Sequence, residues 1–149
     1  MNAPLPVGVI GVGALGRHHA RHLATLDGVK LVGVYDANPE TAERVGAEVG
    51  APAVSGVDAL LGQVKAVSIA VPTSLHAEVG LRALERGVAV LMEKPLAATL
   101  AEADALVAAA AQAGVAVAVV GCPPLRVGEH LVRLRDQPKP ILRVGRVVD

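Results

Sequence analysis

Six residues near the N-terminus, Gly11-Val12-Gly13-Ala14-Leu15-Gly16, follow a short apolar run and open a stretch of helical pattern. In that setting each glycine has its own use. Gly11 permits a tight turn, Gly13 lets backbone N–H groups approach an anion, and Gly16 lets the helix pack against the preceding strand. The helix would aim its unsatisfied N–H groups and positive dipole end at that anion. Asp36 follows Gly16 by 20 residues, at the end of the next apolar run. A carboxylate there can accept hydrogen bonds from both hydroxyls of an adenosine ribose, and it repels a 2′-phosphate. No Arg or Lys follows directly in Asp36-Ala37-Asn38-Pro39. The combination predicts a nicotinamide dinucleotide held by Gly11, Gly13, Ala14, Leu15, Gly16 and Asp36, with NAD favoured over NADP.

A second group is defined by position. Pro72 to His76, Glu93 to Pro95 and Gly121 to Arg126 each come just after an apolar, β-branched run. All three therefore fall at the carboxyl ends of strands, where an open parallel sheet binds its ligands. Lys94 is one of four lysines, with Lys30, Lys65 and Lys139. Beside an oxidised nicotinamide ring it would meet a like charge and partial desolvation, both favouring the neutral amine. It could then hydrogen-bond a substrate hydroxyl or relay its proton. The plainer alternative is a loop lysine paired with Glu93. For His76, packing or capping stands beside cofactor contact. His18 and His22 have a spacing that can serve one metal, but no third ligand is arranged with them. An exposed helix surface is expected there, and no metal is assigned. Cys122 has no base near it in sequence and reads as a small packed side chain.

Placing these residues takes an alternation of strands and helices. Strands are expected at 6–10, 30–35, 53–55, 66–71, 88–92 and 115–120, with helices between them. Asn38 can cap the second helix, with Pro39 and Glu40 suited to its first turn. Thr99-Leu100-Ala101-Glu102 has capping-box spacing, and Gly114 suits the end of the helix it opens. Six strands with five crossovers predict an α/β fold, a doubly wound parallel sheet of Rossmann type in three layers with strand order 3-2-1-4-5-6. Residues 1–121 would form this domain and 122–149 a C-terminal extension with a short basic helix at 130–136 and a strand at 141–148.

Composition narrows the function classes. The 149 residues suit one domain, and 52% hydrophobic against 19% charged residues excludes extensive disorder. Tyr35 is the only aromatic residue, which argues against base-stacking recognition of single-stranded nucleic acid. Fourteen basic residues balance fourteen acidic ones, so no basic field invites a polyanion. The single cysteine fits a reducing compartment. The apolar stretch 5–15 lacks the basic flank of a signal peptide, and no apolar run reaches bilayer length. A cytoplasmic location is expected, with a small-molecule substrate and neither nucleic acid nor membrane as partner.

The set Gly11-x-Gly13-x-x-Gly16-Arg17-x-His19, Pro72-Thr73-Ser74-x-His76 and Glu93-Lys94-Pro95-Leu96 resembles the Gfo/Idh/MocA oxidoreductases, the relatives of glucose–fructose oxidoreductase and inositol dehydrogenase. The resemblance implies that Pro72, Thr73, His76, Glu93, Lys94 and Pro95 join the glycine loop and Asp36 around NAD(P). It implies that Lys94 is catalytic, acting at the reacting centre, and that the bond before Pro95 is often cis. Arg126 matches a frequent family arginine. Family members continue into a mostly antiparallel domain that holds substrate, mediates oligomerisation, and supplies an Asp and a His to work with the lysine. The expected function is that of an NAD(P)-dependent oxidoreductase transferring a hydride to or from a sugar, polyol or related small molecule. Its site would be completed by another chain, in a homo-oligomer or with a partner subunit. The alternative is a noncatalytic NAD-binding module or regulatory subunit.

Overall fold

A computed structural model describes residues 3–120. Its strands are β1 (Leu5–Ile10), β2 (Val29–Tyr35), β3 (Ala66–Ile69), β4 (Ala89–Met92) and β5 (Val117–Val119). All pair in parallel, in the order β2-β1-β3-β4-β5. The helices are α1 (Ala14–Thr25), α2 (Pro39–Val49), α3 (Val57–Leu61), α4 (His76–Glu85) and α5 (Leu100–Ala113). A single 3-10 turn, Thr73–Leu75, leads into α4.

Side-chain alternation along the strands builds two cores, one on each face. Val7, Val9, Ala66 and Leu91 pack with Ala20 and Leu23 of α1 and Val45 of α2. Ile10, Val67, Ile69, Val90 and Met92 pack with Leu60 of α3, Leu84 of α4 and Leu106 of α5. Nearly continuous apolar strands are what a sheet covered on both faces requires. The three-layer Rossmann-type α/β architecture is therefore as the sequence implies.

The local signals act as read. The Asn38 side chain accepts from Glu40 N–H at 3.0 Å, and Pro39 begins α2. At α5 the Thr99 hydroxyl accepts from Glu102 N–H at 3.2 Å, and the Glu102 carboxylate accepts from Thr99 N–H at 3.1 Å. Gly114 ends that helix in the left-handed conformation at φ 67°.

One strand needs correction. The expected third strand at 53–55 is a single parallel bridge between Ala53 and Val34. Val34 N–H donates to Pro52 O at 3.0 Å and Val54 N–H to Val34 O at 2.8 Å. Pairing cannot extend backwards because Pro52 has no N–H, and Gly56 already serves as the N-cap of α3. Among the described residues the sheet thus has five strands rather than six, in the expected order once the third is removed. β3 also stops at Ile69, short of the expected 71.

No helix among the described residues is long and apolar enough to cross a membrane. The expected extension at 122–149, with Cys122, Arg126, the basic helix and the strand at 141–148, lies outside the described residues.

Candidate active site

The turn from β1 into α1 is built on two obligatory glycines. Gly11 has φ 85°, and a Cβ there would sit 2.7 Å from Ala70 O. A Cβ on Gly16 would lie 1.7 Å from Gly11 O, so the helix reaches the loop only because that carbon is missing. Gly13 differs: a Cβ there meets nothing within 4 Å. It is the N-cap of α1 and makes no side-chain cap. Ala14 and Leu15 are exposed beside it, Leu15 to 60%. The first turn of α1 therefore offers N–H groups to an open cradle, which fits a pyrophosphate.

Asp36 closes the other side of this loop. Val12 N–H donates to its Oδ2 at 2.9 Å, and Asn38 N–H donates to its Oδ1 at 2.9 Å. The carboxylate is fixed by two backbone donors and retains further acceptor positions for ribose hydroxyls. Beside it lies a cleft of about 310 Å³ lined by Tyr35, Asp36, Ala37, Pro39, Val54 and Ser55 among others. A purine nucleoside end suits this cleft, so the residues present fit a dinucleotide along the whole edge from β2 to β1.

Beyond β3, Pro72 is exposed and Thr73 half-buried. Beyond β4, Lys94 and Pro95 are exposed, and their peptide bond is cis. Both loops lie at the carboxyl edge, as does the glycine turn. Two residues expected at the cofactor face inward instead. His76 is 1% exposed, its Nδ1 2.8 Å from Pro95 O and its Nε2 2.9 Å from Val71 O. Glu93 is buried, and its Oε1 lies 2.7 Å from His19 Nε2.

His19 continues this contact across the core, with its Nδ1 2.6 Å from Ser68 Oγ. Burial holds the His19 pKa below its ordinary 6.5, against the opposing pull of the Glu93 carboxylate, and His22 and His18 push it further down. A neutral ring suits the partners: Nε2–H donates to the carboxylate, and Nδ1 accepts from the Ser68 hydroxyl. Sequence reading gave Ser68 no role and His19 only a place in a motif. The available signal was one serine inside the apolar run Ala66-Val67-Ser68-Ile69. His18 and His22 are exposed on α1, and no group of three or more metal-ligating side chains occurs among the described residues.

The depressed His19 pKa gives stability a pH dependence. Below 6.5 the unfolded chain takes up the proton more readily than the folded one. This contribution is full above pH 6.5 and is lost as pH falls through the folded value. Urea midpoints are expected to drop between about pH 7 and 5, with a shallower drop in His19→Gln. Equal slopes in the two proteins would contradict the assignment.

Comparison with known proteins agrees with this geometry. The family described as oxidoreductase family, NAD-binding Rossmann fold (GFO_IDH_MocA) matches residues 5–121. The UDP-N-acetylglucosamine 3-dehydrogenase of Acidithiobacillus ferrooxidans is 46% identical over 112 residues, covering 75% of this chain and 35% of that protein. Its crystal structure superposes with a TM-score of 0.73 at 44% identity, over 78% of this chain and 38% of the other. GenD2 from gentamicin A biosynthesis, solved in complex with NAD, gives a TM-score of 0.76 at 31% identity, over 80% and 35% of the two chains. A 3-ketoreductase from Actinomadura kijaniata, solved with TDP-benzene and NADP, gives 0.74 at 32% identity, over 78% and 38%. The chain thus spans little more than a third of the length of these relatives. With the glycine cradle, the strand-end aspartate and the Glu93-Lys94-Pro95 turn on one edge, the chain belongs to the Gfo/Idh/MocA oxidoreductase family, whose NAD-binding Rossmann domain it carries.

Proposed function

We propose that this chain is the cofactor-binding part of an NAD-linked dehydrogenase acting on a sugar, polyol or related hydroxylated small molecule. The observation that carries the reading is the open Gly13 cradle on the same sheet edge as Asp36 and Lys94. Gly11, Gly13, Ala14, Leu15 and Gly16 take the pyrophosphate, and Asp36 takes the adenosine ribose. Pro72, Thr73 and Pro95 line the nicotinamide half, while His76 and Glu93 support that lining from beneath. The Asp36 carboxylate favours NAD over NADP, because a 2′-phosphate would meet its charge. When bound, the dinucleotide supplies the hydride donor or acceptor. Lys94 then hydrogen-bonds the substrate oxygen and carries its proton.

In this reading residues 1–121 form the cofactor domain, and 122–149 lead toward a substrate domain that also mediates self-association. The relatives' greater length supports this division, and the single cysteine suits a cytoplasmic protein.

The test titrates NADH and NADPH into the protein by cofactor fluorescence, then assays NAD reduction with nucleotide sugars, hexoses and polyols. NADH should bind, and one substrate class should turn over. Lys94→Met should lower turnover by roughly 10²- to 10⁴-fold while leaving NADH binding in place. Binding of neither cofactor would refute the reading. Binding without turnover on any substrate would favour a noncatalytic module.

A further inference from the structure

Four polar or charged side chains are buried among the described residues, namely His19, Ser68, His76 and Glu93. Glu93 belongs to the segment Glu93-Lys94-Pro95, His19 and His76 contact it directly, and Ser68 reaches it through His19. Burying such groups costs free energy, and apolar packing of similar volume would hold the fold as well or better. Their concentration at one turn therefore calls for a geometric reason.

We propose that His19 and His76 are positioning residues that clamp Lys94 from the two faces of the sheet; this rests on the reading of Lys94 as the group that meets substrate. On one face α1 delivers His19, held by Ser68 of β3, to the carboxylate of Glu93. The other oxygen of that carboxylate accepts from Lys94 N–H at 3.3 Å. On the opposite face α4 delivers His76, whose Nδ1 lies 2.8 Å from the carbonyl oxygen of Pro95 and whose Nε2 lies 2.9 Å from Val71 O in the loop after β3. Lys94 thus sits between a residue fixed through its side chain and a residue fixed through its carbonyl. His19 also lies one turn from Gly16, so the helix that opens the cofactor cradle also sets the lysine. Second-layer contacts of this kind decide whether a reactive group stands at bonding distance, and a displacement of about 1 Å costs on the order of 10²-fold in rate.

Asparagine and glutamine variants separate positioning from simple packing. Asn places its amide nitrogen near the position of Nδ1, and Gln near that of Nε2. His19→Gln keeps the donor to Glu93, and His19→Asn loses it. For His76 the order reverses, because Nδ1 faces Pro95. Two readouts apply. The first is the carbon-13 resonance of reductively methylated Lys94, assigned with Lys94→Arg. The second is kcat of the intact enzyme with NADH affinity measured alongside. The expected pattern is crossed. His19→Gln and His76→Asn keep the resonance near wild type, whereas His19→Asn and His76→Gln move it and lower kcat by about 10²-fold, with NADH affinity retained in His19→Asn.

An unmoved Lys94 resonance in all four folded variants would overturn the clamp. So would equal loss in the Asn and Gln variants at each position. If His19→Asn fails to fold, Glu93→Gln removes the charge while keeping the shape, and it should move the same resonance. Undiminished turnover in Lys94→Met would refute the role of Lys94 instead, and the resonance pattern would still decide whether the two histidines hold it.

Discussion

Gly16→Ala is expected to abolish NADH binding and to destabilise the fold. The added methyl would lie 1.7 Å from Gly11 O and 2.7 Å from Gly11 C, both backbone atoms that no rotamer change can move aside. Overpacking in a core commonly costs ~1–3 kcal/mol, and a backbone collision belongs at or above the upper end. For a domain of this size about 3 kcal/mol corresponds to a loss of roughly 10 °C in Tm. Relief requires α1 to withdraw from the loop, which spoils the cradle. Gly13→Ala makes the informative contrast. Its methyl meets nothing within 4 Å and its φ of −69° lies outside the left-handed region, so stability should fall far less than in Gly16→Ala. NADH affinity should still fall, because the methyl would occupy the space the pyrophosphate needs. Thermal unfolding and cofactor titration of both variants give the answer. Wild-type NADH binding by Gly13→Ala would place the pyrophosphate elsewhere.

Asp36→Ala is expected to weaken NADH binding by about 10- to 100-fold, the loss of one or two hydrogen bonds to a charged acceptor. It should not convert the protein into a strong NADPH binder. Removing a strand-end acid is the usual first step towards accepting a 2′-phosphate, but this carboxylate also holds Val12 N–H inside the glycine loop and Asn38 N–H at the start of α2. Without it the loop loses its acceptor, and both dinucleotides share the loss. Asp36→Asn keeps one acceptor oxygen and should fall between wild type and Asp36→Ala for NADH. Separate fluorescence titrations decide the matter, and NADPH affinity in Asp36→Ala above that of the wild type for NADH would refute it.

Much of this was readable because it is local. Asn38-Pro39-Glu40 and Thr99 to Glu102 encode helix starts within four residues, and the structure shows those starts. The glycine spacing encodes one tight turn, and the strand runs encode burial on both faces. The third strand misled for a related reason. Ala53-Val54-Ser55 has strand-like content, but the limits on its pairing come from Pro52 and Gly56 on either side. The residues of the buried polar set were mostly singled out in sequence, but their mutual contacts were not readable. His19 and Glu93 are 74 residues apart and meet only because α1 packs beside β3 and Glu93 directly follows β4, the strand paired with β3. Ser68 places a single hydroxyl in an otherwise apolar strand, and its meaning depends on which ring lies beside it. His76 sits at a helix start where cap, packing and ligand contact share one sequence pattern. Its orientation was set by Pro95, 19 residues on.

The near absence of rings from this chain has an optical consequence. Tyr35 is the only aromatic residue in all 149, and it is among the residues that line the cleft beside Asp36. Near-ultraviolet absorption, tyrosine emission and aromatic circular dichroism therefore all originate at one point, next to the place proposed for the adenine end. No tryptophan emission masks that of Tyr35. Quenching of Tyr35 would report arrival at the adenosine side, and reduced-nicotinamide emission would report the other end of the same molecule. The two colours resolve which half of a dinucleotide docks first, with no label attached.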